Sequence, residues 1–335
     1  MAGMYYSDLP QKKQDVLDKV WNVESDKTPY MKLVKKGKQM LSMLSNSPVF
    51  DYNRSSLKGV VDGEDVKNFN KTDRALLEFY GQLVRESWFV GILANIMHTP
   101  ELDNKEKAWQ KAQALVTLKK TMERIALSDM DTAAEAKPDQ AFETRGGFSW
   151  GSATAQSVKP VPVAYRPDSA QIYSGAIGDF VDTDLETMLK SASNAAGRAV
   201  IWMGLLGLDL KSRMSGWGQR DEDASATDKA VRQYNINASE KKFLDIINVF
   251  EFDAGIVHAM TSYDLHVDQA TGEDTAYTSK SGLFMDMETM LIRFGMKLDG
   301  KELPDLGGGP RGYWSSVFAN ICRNPSTMCM VESNS

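Results

Sequence analysis

Apolar residues recur at helical spacing over one long stretch, residues 103–130. Steps of three and four positions place them on a single stripe, formed by Ala108, Ala112, Leu115, Leu118, Met122 and Ile125. Asp103 and Glu106 have the spacing of a capping box, and no Gly or Pro interrupts the stretch. The pattern predicts an amphipathic helix of about 40 Å that lies across a sheet or another body of the protein. An ordinary long surface helix would show the same pattern.

The pattern changes to that of β-strands in residues 45–91. Apolar Leu77, Phe79 and Leu83 alternate with polar or amphipathic neighbours, which is the period of a half-buried strand. A polar segment rich in Gly and Asp, residues 57–69, interrupts the region. We predict two long strands joined by a polar tip. Such a ribbon has little core of its own and must lie against something else, plausibly a neighbouring subunit.

The rest of the chain mixes short helices and strands, which predicts the α+β class. Residues 9–21 are predicted as a helix, and Thr28 with Pro29 is predicted to start a short helix that ends near Gly37. A further helix is predicted to open at residue 183 and to end at residues 194–197 with Gly197, and its apolar side is formed by Leu185, Met188, Leu189 and Ala192. The predicted strands are 172–180, 199–204, 242–252, 255–263, 283–294, 313–321 and 327–331, and the predicted loops are 133–167, 215–228 and 300–312.

Composition places the chain among ordinary globular proteins. It has 335 residues, 42% hydrophobic and 25% charged, which is enough to build a sizeable core. No apolar run approaches the ~18 residues of a membrane span, and the first residues lack the apolar core of a signal peptide, so we expect synthesis in the cytoplasm. The net charge of -6 argues against a nucleic-acid binder by overall charge. A local basic group, Lys32, Lys35, Lys36 and Lys38, fits a solvated helix end better than a polyanion site.

Residues that could carry chemistry do not form a recognisable site. Cys322 and Cys329 lack the spacing of a metal pair, so we expect free, buried thiols. The three histidines, His98, His258 and His266, lack metal-site spacing, and the acids Asp221, Glu222 and Asp223 do not match a calcium loop. The glycine run at 307–311 lacks the ending of a phosphate-binding loop, so we predict a flexible turn within a mobile loop. We therefore predict no catalytic residue, no cofactor and no metal site, which favours a structural role.

The order of the elements is more informative than any motif. An N-terminal arm leads to a short helix with the pattern Asp26-x-Thr28-Pro29, followed by an extended two-stranded loop and the long helix. A second lobe then places one helix before a buried strand, and short strands return to the first lobe. This order resembles the major capsid proteins of tailed bacteriophages, which have the Hong Kong 97-type fold. The resemblance covers residues 9–331.

The resemblance implies a division into an N-terminal arm and helix, an extended loop, a peripheral domain with the long spine helix, and an axial domain. The corresponding ranges are 1–44, 45–98, 99–180 with 322–335, and 181–321. In this family the extended loop lies over the adjacent subunit, and the axial domain gathers around a five- or six-fold axis. Some relatives join subunits through a Lys–Asn crosslink. Lys58, Lys67 and Lys71 lie near the tip, but no reactive partner is evident and we predict no crosslink.

The function implied by the resemblance is that of a major capsid, or head, protein. Such a protein self-assembles as pentamers and hexamers into an icosahedral shell that encloses double-stranded DNA, and it is not an enzyme. Its implied partners are other copies of itself, packaged DNA contacted non-specifically, and portal, scaffolding or decoration proteins, with no membrane. It would be made in the host cytoplasm and located in the virion. The alternatives are an encapsulin-like or other non-viral shell, a phage tail or connector component, and an enzyme of unrecognised type.

Overall fold

The computed structural model describes residues 28–50, 62, 71–72, 74–96, 106–136, 140–154, 156–217, 248–265 and 278–332. Within these ranges helices and strands are mixed, as the α+β prediction requires. Several predicted features lie outside the described residues: the helix at 9–21, the arm tip at 57–69 apart from Asp62, the acids at 221–223, Lys58, Lys67, His98 and His266.

The described part of the chain contains six α-helices and twelve β-strands. The helices are α1 Pro29–Leu33, α2 Ile92–Ile96, α3 Glu106–Ala126, α4 Gly147–Gly151, α5 Asp182–Ala196 and α6 Leu208–Gly216. The strands are β1 Lys35–Lys36, β2 Leu44–Phe50, β3 Arg74–Tyr80, β4 Gln82–Phe89, β5 Ile172–Tyr173, β6 Val200–Leu206, β7 Val249–Phe252, β8 Gly255–Thr261, β9 Gly282–Asp286, β10 Met290–Leu303, β11 Arg311–Cys322 and β12 Cys329–Val331.

The predicted spine helix is confirmed as α3, which packs against a four-stranded sheet in the order β1-β10-β11-β4. Leu118 and Met122 of the helix are buried there, and Trp88 of β4 lies in the same layer. The indole N–H of Trp314 on β11 donates to the carbonyl of Lys111 at 2.9 Å. The helix therefore lies across a sheet, as its apolar stripe predicted.

The predicted face of the spine helix is right only in its second half. Leu118, Met122 and Ile125 are buried, but Ala108 and Ala112 are exposed and Leu115 is half-buried. In the first half, the ammonium groups of Lys107 and Lys111 lie over the rings of Trp88 and Trp314 instead. The broad aromatic faces of the sheet accept lysine here, so the side that turns inward is polar. Ala114 and the carboxyl group of Glu123 are also buried, and the stripe predicted neither.

A six-stranded sheet in the order β5-β12-β9-β6-β8-β7 separates two hydrophobic clusters. On β9, Leu283 and Met285 point into the cluster that contains α3, while Phe284 points into the cluster that contains α5. Successive side chains of a strand face opposite sides, so a strand buried on both faces is apolar throughout. Helix α5 covers the second cluster with its predicted apolar side, and Gly197 ends it in the left-handed conformation with φ of 65°.

The predicted ribbon has two paired strands, but its base is attached to the body of its own chain. Strands β2 and β3 are antiparallel, and Leu77 and Phe79 are buried. Phe79 meets Trp150 edge to face at a centroid distance of 6.4 Å. The predicted alternation through Leu83 is wrong, because Gly81 separates β3 from β4, which belongs to another sheet and leaves Leu83 exposed.

Four predicted boundaries are wrong, and in two of them pairing with residues distant in the chain overrides the local pattern. The first short helix ends at Leu33, since the next residues pair with β10 as strand β1. The segment 172–180 is a strand only in β5 and then forms a 3-10 turn. The segment 283–294 is two strands in two sheets, joined by a turn in which Asp286 accepts from the backbone of Glu288. The predicted loop 300–312 is shorter, because β10 and β11 pair to their ends.

Candidate assembly surfaces

Three exposed surfaces carry large apolar side chains that the two clusters do not use. The first is the outer side of the ribbon, here called the arm face and formed by Leu44, Pro48, Phe50 and Leu76. Leu44, Phe50 and Leu76 are 39%, 53% and 50% exposed. They share one side of the ribbon because Leu44, Pro48 and Phe50 alternate along β2, and Leu76 pairs directly with Pro48. The other side of the ribbon holds the buried Leu77 and Phe79, so the arm face lies opposite the side that packs on the body. At the outer end of β2, Pro48 and Phe50 also border a cleft.

The second surface is the tip surface, formed by Phe89, Ile92, Leu93 and Leu306. Leu306 is exposed by 79% and lies in the loop between β10 and β11. The Oδ1 atom of Asp305 accepts from the backbone N–H groups of Gly307 and Gly309 at 2.8 and 3.0 Å. These N–H groups hold the pKa of the Asp305 carboxyl below its usual value.

The loop of the tip surface is fixed to the end of β4. The backbone N–H of Val90 donates to the carbonyl of Pro310 at 3.0 Å. At Gly309, with φ of 120°, a Cβ would come within 2.3 Å of the carbonyl oxygen of Val90, so only glycine fits. The predicted flexible glycine loop is therefore a tied turn that presents Leu306 in a defined position.

The third surface is the open sheet face, formed by Ile201, Val249, Ile256, His258 and Met260. These residues lie on one side of β6, β8 and β7, because Ile201 pairs with Ile256 and Val249 pairs with His258. Ile201 is 59% exposed and Val249 is 52% exposed. His258 thus lies within β8, as predicted, on an exposed and mostly apolar surface rather than in a cluster of ligating side chains.

A cleft of about 650 Å³ lies beneath the outer half of the ribbon. One wall is β2, from Ser47 to Phe50, and the facing walls include Tyr165, the last turn of α5 and the polar residues Arg323 and Asn324. The ribbon therefore extends from its base beside Trp150 toward the end of α5, and the cleft is the space between β2 and the body.

The residues singled out for chemistry are not brought together. Cys322 and Cys329 are free and buried as predicted, and burial raises both thiol pKa values, that of Cys322 to about 12. Lys35 and Lys36 lie exposed on β1, at the edge of the four-stranded sheet. Among the described residues, no three His, Cys, Asp or Glu side chains are grouped so that they could hold a metal ion.

The sequence pattern did not reveal the three surfaces. An exposed leucine in a strand has the same local pattern as a buried one, and only the fold shows which side is covered. Alternation along β2 did carry a usable signal, since it places Leu44, Pro48 and Phe50 on one side. Among the helices of the described ranges, none combines the length and hydrophobicity that crossing a membrane requires.

Comparison with known proteins gives a consistent result. The family model of the SU10 major capsid protein matches residues 3–335. The capsid structure of cyanophage P-SCSP1u is similar with a TM-score of 0.60 and 13% identity, covering 99% of this chain and 94% of that one. A structure from Mycobacterium phage Bobi has a TM-score of 0.61 and 12% identity and covers 100% of both chains. One from Gordonia phage Cozz has a TM-score of 0.62 and 11% identity, covering 97% and 92%. No curated protein matches significantly.

At such low identities these similarities describe the fold alone, and they confirm the predicted phage-capsid fold of the Hong Kong 97 type.

Proposed function

The chain belongs to the SU10 major capsid protein family, and from this membership we propose how it builds a phage head. As a major capsid protein it is a structural component of the virion that associates with copies of itself. We propose that these copies form pentamers and hexamers of an icosahedral shell around double-stranded DNA. The observation that carries the proposal is the family match over residues 3–335. Neither an encapsulin-like shell nor a tail component is favoured by any separate observation.

The proposed domain division keeps the N-terminal arm at 1–44, the extended loop at 45–98, the peripheral domain from 99 and the axial domain from 181. We propose one change, which assigns β4, β10 and β11 to the peripheral domain. All three strands belong to the sheet that packs on α3, and Leu118 of α3 shares a cluster with Phe318 of β11. In the axial domain, α5, α6 and β6 to β8 are then grouped around the second cluster.

The three surfaces would supply the contacts between copies. The arm face lies opposite the side of the ribbon that packs on its own body, which suits it to lie over an adjacent subunit. The open sheet face lies in the proposed axial domain and would be directed toward neighbours around a capsomer axis. The tip surface lies at the far end of the peripheral domain and would meet other capsomers. Each contact is small, so a closed shell that forms many contacts at once should assemble steeply with concentration.

The net negative charge of the subunits should oppose assembly, and salt should weaken this electrostatic repulsion. At a net charge of -6 the subunits repel one another, and the Debye length is about 10 Å at 0.1 M salt. The three surfaces are mostly apolar, so moderate salt should promote assembly rather than break it. Packaged DNA would be contacted weakly, through basic residues such as Lys35 and Lys36. Portal, scaffolding or decoration proteins are proposed further partners, and synthesis is proposed to occur in the host cytoplasm.

The test targets the arm face and leaves the cores untouched. The double variant Phe50→Asp/Leu76→Asp should stay folded, with an unchanged melting temperature, but should form no shells in electron microscopy. Val163→Asp is the matched control, because Val163 is exposed by 78% and lies on none of the three surfaces. Deleting residues 57–69 should have the same effect as the double variant.

Two outcomes would count against the proposal. Normal shells from both the double variant and the deletion would remove the arm from the contacts between subunits. If the unaltered chain remained monomeric even when co-expressed with the neighbouring phage head genes, the capsid function itself would be refuted. Light scattering against protein concentration and salt measures the assembly in each case.

A further inference from the structure

Glu123 is a fully buried acid on the spine helix, and both of its oxygen atoms are occupied. Its Oε1 atom accepts from the backbone N–H of Tyr30 at 2.7 Å, and its Oε2 atom accepts from that of Met31 at 2.8 Å. These two donors belong to the first turn of α1. Thr28 precedes that turn but its side chain makes no capping hydrogen bond. A carboxyl group from a distant helix therefore performs the capping that is normally local.

The capped turn begins a segment that is attached to the body at several further points, here called the root segment, residues 28–40. The Tyr30 side chain is buried, and its hydroxyl donates to Asn320 on β11. Farther along, the backbone N–H groups of Gly37 and Met40 donate to carbonyls of β10 at 2.8 and 3.0 Å. The root segment is therefore held to the body near its start, through Tyr30, and at its end, through Gly37 and Met40.

The groups facing Glu123 have opposing effects on its charge. Burial is the largest and raises its pKa to about 7, and the negative charge of Asp264 raises the pKa as well. The two backbone N–H groups and Lys32 act in the other direction. Arg124, next along the helix, is directed to Asp264 at 3.4 Å. Tyr30 is buried and its own pKa is raised well above its ordinary value, so it stays neutral.

We propose that Glu123 is a proton-sensitive clasp that holds the root segment more tightly in acid than at neutral pH. When the clasp is closed, the buried Glu123 carboxyl takes up a proton near pH 7. When the clasp is open, the carboxyl lies in water and takes up a proton near its ordinary pKa of 4.5. Between these two values the closed state binds more protons than the open state. Raising the pH across this window therefore favours release, and the effect levels off above about 7.

The expected size of the effect follows from the same linkage. Within the window, each pH unit shifts the opening equilibrium by up to tenfold, and by less near the two pKa values, so the change between pH 5 and pH 7 is about 40-fold. The clasp thereby couples pH to the attachment of the root segment. This inference goes beyond the proposed function and does not rest on it, since the clasp lies within one subunit.

Hydrogen exchange of the full chain tests the clasp, measured by mass spectrometry on peptides that cover residues 28–40 and corrected for intrinsic exchange rates. In the unaltered protein, protection of these amides should fall by about 40-fold from pH 5 to pH 7 and then level off. In Glu123→Gln, which carries no charge at any pH, protection should not vary over that range. Glu106 lies on the same helix and accepts a hydrogen bond from the side chain of Gln110, so Glu106→Gln is the matched control and should behave like the unaltered protein.

A second variant keeps the test decisive if Glu123→Gln does not fold. Asp264→Asn removes the negative charge that raises the pKa of Glu123, so the fall in protection should end at a lower pH. The proposal is overturned if protection in the unaltered protein does not change with pH. It is equally overturned if Glu123→Gln shows the same change, or if a folded Asp264→Asn leaves the transition where it was.

Discussion

Helices α3 and α5 are both long and amphipathic, but they are held in the protein by different kinds of contact. Helix α5 inserts four apolar side chains into one cluster, and its ion pair, Lys190 with Glu186 at 2.7 Å, lies on the outer surface. Helix α3 also buries apolar residues, but it adds the buried carboxyl group of Glu123 and two lysines that lie over tryptophan rings. It contacts the root segment, β4, β10 and β11, whereas α5 serves mainly its own cluster.

The difference means that α5 contributes mainly to stability, whereas α3 also makes the fold respond to pH and salt. Apolar burial is insensitive to pH and only weakly sensitive to salt, so α5 should behave the same under all conditions in which the protein folds. The polar contacts of α3 depend on protonation and ionic strength. We therefore expect changes of solution conditions to act on the spine helix and its neighbours first.

The largest expected effect comes from substituting buried apolar residues, a kind of residue that both helices have. Leu189→Ala in α5 and Met122→Ala in α3 should each lower the free energy of unfolding by about 2–5 kcal/mol, because each leaves a cavity in a packed cluster. Denaturant unfolding of the unassembled subunit measures this. Lys190→Ala, next to Leu189 but exposed, should leave the unfolding midpoint unchanged. An equal loss from Lys190→Ala would contradict the packing described for α5.

A smaller effect should locate the face of α3 that meets the sheet. Ala114 is buried and Ala112 is exposed, so Ala114→Leu should overpack the contact and cost about 1–3 kcal/mol, while Ala112→Leu should be close to neutral. The original stripe placed Ala112 on the buried side. Thermal and denaturant unfolding of the two matched variants shows which of the two residues faces the sheet. A larger loss from Ala112→Leu than from Ala114→Leu would mean that the predicted apolar stripe is correct.

The smallest expected effect concerns the ion pairs at the start of α3. Glu302 meets Lys107 at 3.0 Å and Lys111 at 3.3 Å, and these hydrogen-bonded lysines hold its pKa below its usual value. The lowered pKa means that this contribution is present at neutral pH and disappears as the pH falls through the folded-state value.

Glu302→Gln should therefore destabilise the subunit slightly at neutral pH and low salt, and not at all in acid or high salt. Melting temperatures measured across pH and salt test this. A loss that persisted at high salt would mean that Glu302 acts through packing rather than through charge.

Helix α5 is the element whose structure the sequence predicted most completely. Its start, its four buried side chains and its glycine end were all predicted, because each signal is local to the helix. The order of elements also led correctly to the phage-capsid fold. For α3 the position and length were close, but half of its face was wrong. Helical periodicity identifies apolar residues and carries no information that Trp88 and Trp314 would attract lysines to the inner side.

The candidate surfaces were less predictable than the fold. The ribbon was expected from its alternating pattern, and its strands are present as β2 and β3. That its base would pack on Trp150 of the same chain was not expected, because this contact joins residues far apart in sequence. The tied loop at Leu306 was predicted as mobile, since a run of glycines does not reveal that Asp305 accepts two of its N–H groups.

The sequence by itself determined where the two long helices and most of the strands lie, and which side chains are apolar enough to form the two clusters. These properties follow from residue spacing, caps and hydrophobicity, which act over a few residues. Only the tertiary structure decided that residues 35–36 form a strand, that 283–294 divides between two sheets and that Glu123 is buried against α1. Each of these outcomes depends on a hydrogen-bonding partner distant in the chain, and a local pattern cannot specify that partner.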